Sequence, residues 1–134
     1  AYCDALRDAG LEDQAGHTAV AGFSASSGRE KAQELLETYG PLDALVCATD
    51  SMAVGALQYL KSLGLRVPED IRLTGQGGSD LCGVTTPTIT TIRYFYEDSG
   101  ANAAVLLLER LEHPDAPAKE IKLGYQIVEN ESSR

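Results

Sequence analysis

The chain of 134 residues contains no tryptophan, only two phenylalanines and one methionine. Large rigid anchors are scarce, so any ring at a surface position weighs in a reading of function. Its three cysteines, Cys3, Cys47 and Cys82, are odd in number and lack metal-type spacing. That fits reduced thiols and a cytoplasmic location better than a disulfide framework. No apolar run approaches the roughly 20 residues of a membrane-spanning helix, and no secretory leader pattern opens the sequence. Basic residues are few: 11 Lys and Arg stand against 20 Asp and Glu, for a net charge of −9. This balance opposes phosphate neutralisation, so these residues alone are not built to grip DNA. The two histidines, His17 and His113, have no Cys or carboxylate partners at ligand spacing, and no metal is expected. A G-x-S-x-G elbow and a phosphate-binding P-loop are both missing. No catalytic residue can be named, and no cofactor is expected.

What is present is an ordinary folded composition, 43% hydrophobic and 23% charged, at a length that suits one domain. Strand-like and helix-like segments alternate. Residues 18–23 read as a strand, and Ser27 with Glu30 as a capping box opening a helix that Gly40-Pro41 stops. Residues 42–48 form an apolar run typical of a strand covered on both faces. A helix follows with Ala53, Ala56, Leu57, Leu60 and Leu63 on one side, closed by Gly64. Residues 71–75 read as a strand, 76–87 as a surface loop and 89–92 as a strand. Residues 96–111 read as a helix, and 121–128, after Pro114 and Pro117, as a strand. The last four residues are expected to fray. At the other end, Tyr2, Ala5, Leu6 and Ala9 have helical spacing with no cap before them, as though the chain were cut from something longer. The alternation predicts an α/β fold with a parallel sheet flanked by helices.

In such sheets ligands bind beyond the carboxyl ends of the strands, where helix N-termini offer unpaired N–H groups. Three stretches fall there. Thr49-Asp50-Ser51 sits between a strand and a helix, where Asp50 or Ser51 either caps the helix or touches a ligand. Gly75-Gln76-Gly77-Gly78 resembles half a dinucleotide fingerprint, but the third glycine would fall at Asp80, so the nucleotide reading fails and a flexible turn remains. Phe23 ends the first predicted strand, where its ring could stack on a sugar or a base, although on residue type alone a place in the core is the favoured reading.

Three segments carry a resemblance: residues 45–57 (LVCATDSMAVGAL), 67–75 (VPEDIRLTG) and 87–92 (PTITTI). In order and spacing they resemble successive signatures of the lactose-repressor (LacI/GalR) family, over residues 2–132. The loop at Gly75 to Gly78 and the segment Tyr94-Phe95-Tyr96-Glu97 look most like the branch with sucrose-operon repressors. The resemblance implies a periplasmic-binding-protein-like domain that closes on a small effector, a sugar or sugar phosphate. Residues 11–92 would form approximately the carboxyl-side lobe, and 93–134 the crossover helix and terminal strand of the amino-side lobe. A helix-turn-helix headpiece that reads operator DNA, and the family's effector-binding arginine, would lie before Ala1. Carried over by position, Phe23 matches the ring that stacks on the effector, and Thr49 a polar position that bonds it. Asp50 matches the acidic residue beside it. Gln76 and Gly77 match an aromatic followed by an effector-binding aspartate. Gly77 departs from that pattern and removes one polar anchor, leaving room for a bulkier or differently held ligand. Val54, Gly55 and Gln58, with Leu81 and Val84 in the next loop, match the family's homodimer face.

The expectation is therefore an effector-sensing, non-enzymatic part of a cytoplasmic sugar-responsive repressor, whose lobes close on ligand and so alter headpiece spacing. A sugar-binding protein of a transporter shares the architecture. An α/β enzyme is the third reading, disfavoured because no reactive pair stands out.

Overall fold

The computed structural model describes residues 1–11 and 16–134. Helices α1 (Tyr2–Asp8), α2 (Ala25–Tyr39), α3 (Asp50–Ser62), α4 (Leu81–Val84) and α5 (Tyr96–Glu112) accompany four strands. These are β1 (Ala44–Val46), β2 (Arg72–Gly77), β3 (Thr90–Tyr94) and β4 (Tyr125–Val128), followed by a 3-10 turn at Glu131–Ser133. The sheet runs β1-β2-β3-β4. The first three strands are parallel, with Leu45 beside Leu73 and Thr74 beside Thr90. β4 is antiparallel to β3, so the expected parallel sheet is a mixed one. The cause lies in the connection: α5 and the linker leave and re-enter at the same edge, and Tyr125 pairs with Tyr94, where β3 ended.

Helix α3 forms because its apolar residues recur at three- and four-residue steps behind a good cap. Ala53, Ala56, Leu57 and Leu60 form the core with Leu45, Ile71, Leu73 and Ile89 of the sheet and its approaches. Each buried leucine there contributes about 1.5–3 kcal/mol. Gly64, at φ +76°, lets the chain turn off the helix end. Helix α2 crosses α3 so closely that a Cβ on Gly28 would overlap the Met52 backbone, and one on Gly55 the Ala25 carbonyl. Gly55, which the resemblance puts on a dimer face, is thus buried in a contact within the chain.

Other expectations change for identifiable reasons. Residues 18–23 join no strand ladder, because a cleft separates them from β1. Ser24 caps α2 in place of Ser27: the Ser27 N–H donates to Ser24 Oγ at 3.1 Å, which starts the helix three residues earlier. The strand expected over 42–48 shortens to Ala44–Val46 and is covered on one face only; Val46 is 66% exposed, since the core lies on the Leu45 side. The expected loop at 76–87 divides, because β2 runs on through Gln76 and Gly77 and residues 81–84 form α4. The expected strand over 121–128 begins only at Tyr125.

At the end of the chain, Ser132 is fully buried where fraying was expected. Its Oγ–H donates to the Leu73 carbonyl at 2.6 Å, and it accepts the Thr90 N–H at 2.9 Å, joining β2 to β3. The Glu131 carboxylate accepts both the N–H and the hydroxyl of Thr88, which hold it below its usual carboxylate range. Helix α5 has no buried residue: Leu107, Leu108 and Leu111 are exposed.

Candidate functional site

The three parallel strands bring their carboxyl ends to one edge of the sheet, and α3 and α5 begin there. Thr49 is the N-cap of α3, with its Oγ1 accepting the Met52 N–H at 3.3 Å. Asp50 follows and is 3% exposed. Its Oδ1 accepts the Thr91 hydroxyl at 2.6 Å and its Oδ2 the Ser79 N–H at 2.7 Å. Burial first, and the Asp50 carboxylate second, push the Cys82 thiol up to about 12. A buried carboxylate has to collect donors to offset its lost hydration, and here the protein supplies them. Asp50, expected to contact ligand, therefore turns inward and ties α3, β3 and the loop after β2 together. The same economy shapes Gly75, where a Cβ would overlap Asp50 Oδ1.

Gln76 and Gly77 end β2 at this edge. The Gln76 side-chain amide donates to the Tyr94 hydroxyl at 2.5 Å, and the Tyr94 ring meets Tyr96 edge-on at 5.9 Å. Gly77 has φ +135°, and a Cβ there would stand 3.2 Å from Asp50 Oδ2 and 4.0 Å from the Tyr96 hydroxyl. An aspartate at 77 would be strained and would face a like charge, so the glycine and the tyrosine hydroxyl belong together. Gly78, at φ +76°, donates its N–H to Thr91 Oγ1 at 3.2 Å and completes the turn. Phe23 precedes the Ser24 cap and is 77% exposed, so it does not fill the core.

Of the sequence-derived site residues, Gln76 and Gly77 are neighbours on the same strand end, and Gly77 flanks Asp50 beside Thr49. Of the expected dimer-face residues, Gln58, Leu81 and Val84 are exposed and Val54 is half-buried against the core. Tyr94 and Tyr96 were not expected at this edge. Their signal was the aromatic run 94–96 in a chain with eight Phe and Tyr in all. Burial also pushes the Cys47 thiol up to about 12, which leaves it protonated and inert. Among the described residues, no group of three or more His, Cys, Asp or Glu could hold a metal ion.

The chain is similar to the HTH-type transcriptional repressor CytR of Escherichia coli K12, 35% identical over 111 residues, 83% of this chain and 33% of the relative. It spans about a third of the length of the curated relatives it matches. It is also similar in structure to the transcriptional regulator CelR in complex with cellobiose. There the TM-score is 0.91 at 30% identity, covering 98% of this chain and 40% of the other. A LacI family regulator of Enterococcus faecium with bound ribose matches with a TM-score of 0.85 at 25% identity, over 98% of this chain and 49% of that one. Residues 1–133 match the family model of the periplasmic binding protein-like domain. The chain therefore belongs to the periplasmic binding protein-like family, in the form carried by LacI-type regulators.

Proposed function

We propose that the chain is the carboxyl-side part of an effector-sensing domain, in a cytoplasmic, sugar-responsive LacI-type repressor that is a homodimer and not an enzyme. The observation that carries this reading is the rim itself. The Thr49 cap and the hydrogen-bonded Gln76–Tyr94 pair lie at the strand ends of a fold shared with a cellobiose complex and a ribose complex, and the Phe23 ring, just before α2, is exposed. A ring face for a pyranose and neutral amide and hydroxyl groups for its hydroxyls are what a sugar needs. Residues 11–92 serve as one lobe and 93–134 as the crossover to the other. Ligand closure shifts a two-state equilibrium, and operator DNA is gripped by a helix-turn-helix headpiece outside these residues. The transporter reading shares the fold; the curated relatives, being repressors, favour regulation.

Calorimetric titration of the whole repressor with cellobiose, ribose and lactose tests the reading. Heat of binding for at least one sugar, lost or weakened in Phe23→Ala, is expected. No binding to any of them, or binding that ignores Phe23, would overturn it.

A further inference from the structure

Two phenols cap the end of β2. Successive residues of a strand face opposite sides of the sheet, and the last two here are Gln76 and Gly77. On one side the Gln76 amide donates to the Tyr94 hydroxyl at 2.5 Å. On the other, a Cβ on Gly77 would stand 4.0 Å from the Tyr96 hydroxyl. Tyr94 and Tyr96 thus straddle the strand end, and their rings meet edge-on, with centroids 5.9 Å apart and planes at 64°. The pair forms an aromatic corner that stays open, since Tyr96 is 63% exposed.

The polar groups of this corner are neutral, and they are set up to donate. Tyr94 Oη already accepts from Gln76, and Thr49 Oγ1, at the same edge, already accepts the Met52 N–H. Each therefore keeps an O–H for another acceptor. Among the described residues the Tyr96 hydroxyl has no hydrogen-bond partner. Gly77 brings no side chain, and both oxygens of the Asp50 carboxylate beneath it already accept protein donors, the Thr91 hydroxyl and the Ser79 N–H. An outward carboxylate would accept hydroxyls of a single sugar ring in charge-assisted bonds, about twice as strong as neutral ones. Without one, a lone ring gains little here from polar contact. Aromatic surface is what the corner supplies, and that gain grows with the apolar face a ligand lays on it. The oxygen of a glycosidic link accepts and cannot donate, so a phenol O–H serves it where a carboxylate cannot.

We infer that Tyr96 determines specificity at this edge, and that the effector is a glycoside of two or more rings. One ring packs on the Tyr94–Tyr96 corner, and the Tyr96 hydroxyl donates to an oxygen of that ring or of its link. The inference rests on the sugar-effector reading above and narrows its ligand class. It also accounts for Gly77: the hydroxyl that meets the ligand comes from the start of α5, across the space that a side chain at 77 would fill.

Calorimetric titration of the full-length protein with cellobiose and lactose, against glucose, galactose and ribose, tests this. At least one disaccharide should bind about tenfold or more tightly than the monosaccharides. Tyr96→Ala should remove most of that advantage, and Tyr96→Phe, which keeps the ring and loses the hydroxyl, should remove part of it. Thermal melts of both variants should stay close to the parent, because the side chain is exposed and no core residue leans on it. Monosaccharides that bind as tightly as disaccharides, or a disaccharide advantage that survives Tyr96→Ala, would overturn the inference and leave the sugar reading standing. No heat with any of these sugars would overturn both.

Discussion

Asp50 Oδ1 and Thr91 Oγ1 lie 2.6 Å apart, joining the first turn of α3 to β3 across 41 residues of chain. Thr91 Oγ1 also accepts the Gly78 N–H, so one hydroxyl connects the carboxylate to the turn after β2. The acidic residue of the Thr49-Asp50-Ser51 segment is a fastening of the rim rather than a hand held out to ligand.

Asp50→Ala should accordingly act on stability. It strands the Thr91 hydroxyl and the Ser79 N–H, and each buried group left without a partner costs about 1–3 kcal/mol. Asp50→Asn keeps one acceptor oxygen and should cost less. Urea denaturation of the two variants measures this; full stability in Asp50→Ala would refute the fastening role.

Phe23→Ala should do the opposite. On the function proposed above, it should weaken effector binding by the full-length protein by about 1–3 kcal/mol with little change in melting temperature, because the ring is exposed and supports no core. Thr49→Ala removes the α3 cap, at about 0.5–2 kcal/mol of stability. Calorimetry paired with thermal melts separates the two effects.

The end of the chain should prove structural. Ser132→Ala leaves the Leu73 carbonyl and the Thr90 N–H without their bridge, and a loss of about 1–3 kcal/mol is expected. An unchanged melting temperature would mean that the two strands close without it.

Helix α5 sets the behaviour of the isolated chain. Leu107, Leu108 and Leu111 are exposed, and each leucine withdrawn from water contributes about 1.5–3 kcal/mol. Self-association is the expected outcome, with light scattering at micromolar concentration reporting a dimer or larger. A well-behaved monomer would contradict it. The same sample should show no tight operator binding in a low-salt mobility shift, given its net charge of −9.

The Arg66–Asp70 pair offers a check by pH. The Arg66 guanidinium and backbone N–H donate to Asp70 and hold its carboxyl at about 2. A carboxyl lowered in the folded state stabilises above its unfolded value near 3.8, and that contribution fades as pH falls toward 2. An NMR titration should place the Asp70 midpoint well below the ordinary range, and Arg66→Ala should bring it back up.

The sequence by itself determined that the longer helices α2, α3 and α5 form, though not the cap of α2 or the short helix α4. Thr49 and Gly64 bracket α3, and Ala53, Ala56, Leu57 and Leu60 give it an apolar stripe, all signals that operate within a turn or two. Gly77 could be marked as a strand-end position because the β/α alternation puts strand ends at one edge. What only the tertiary structure decided depends on partners far along the chain. The direction of β4 follows from where α5 and the linker return. The inward turn of Asp50 depends on Ser79 and Thr91, 29 and 41 residues away, and the burial of Ser132 on Leu73, 59 residues back. Residues 18–23 show the same physics from the other side. Alternation can make a segment fit to be a strand, but a strand exists only when a neighbour completes its hydrogen bonds.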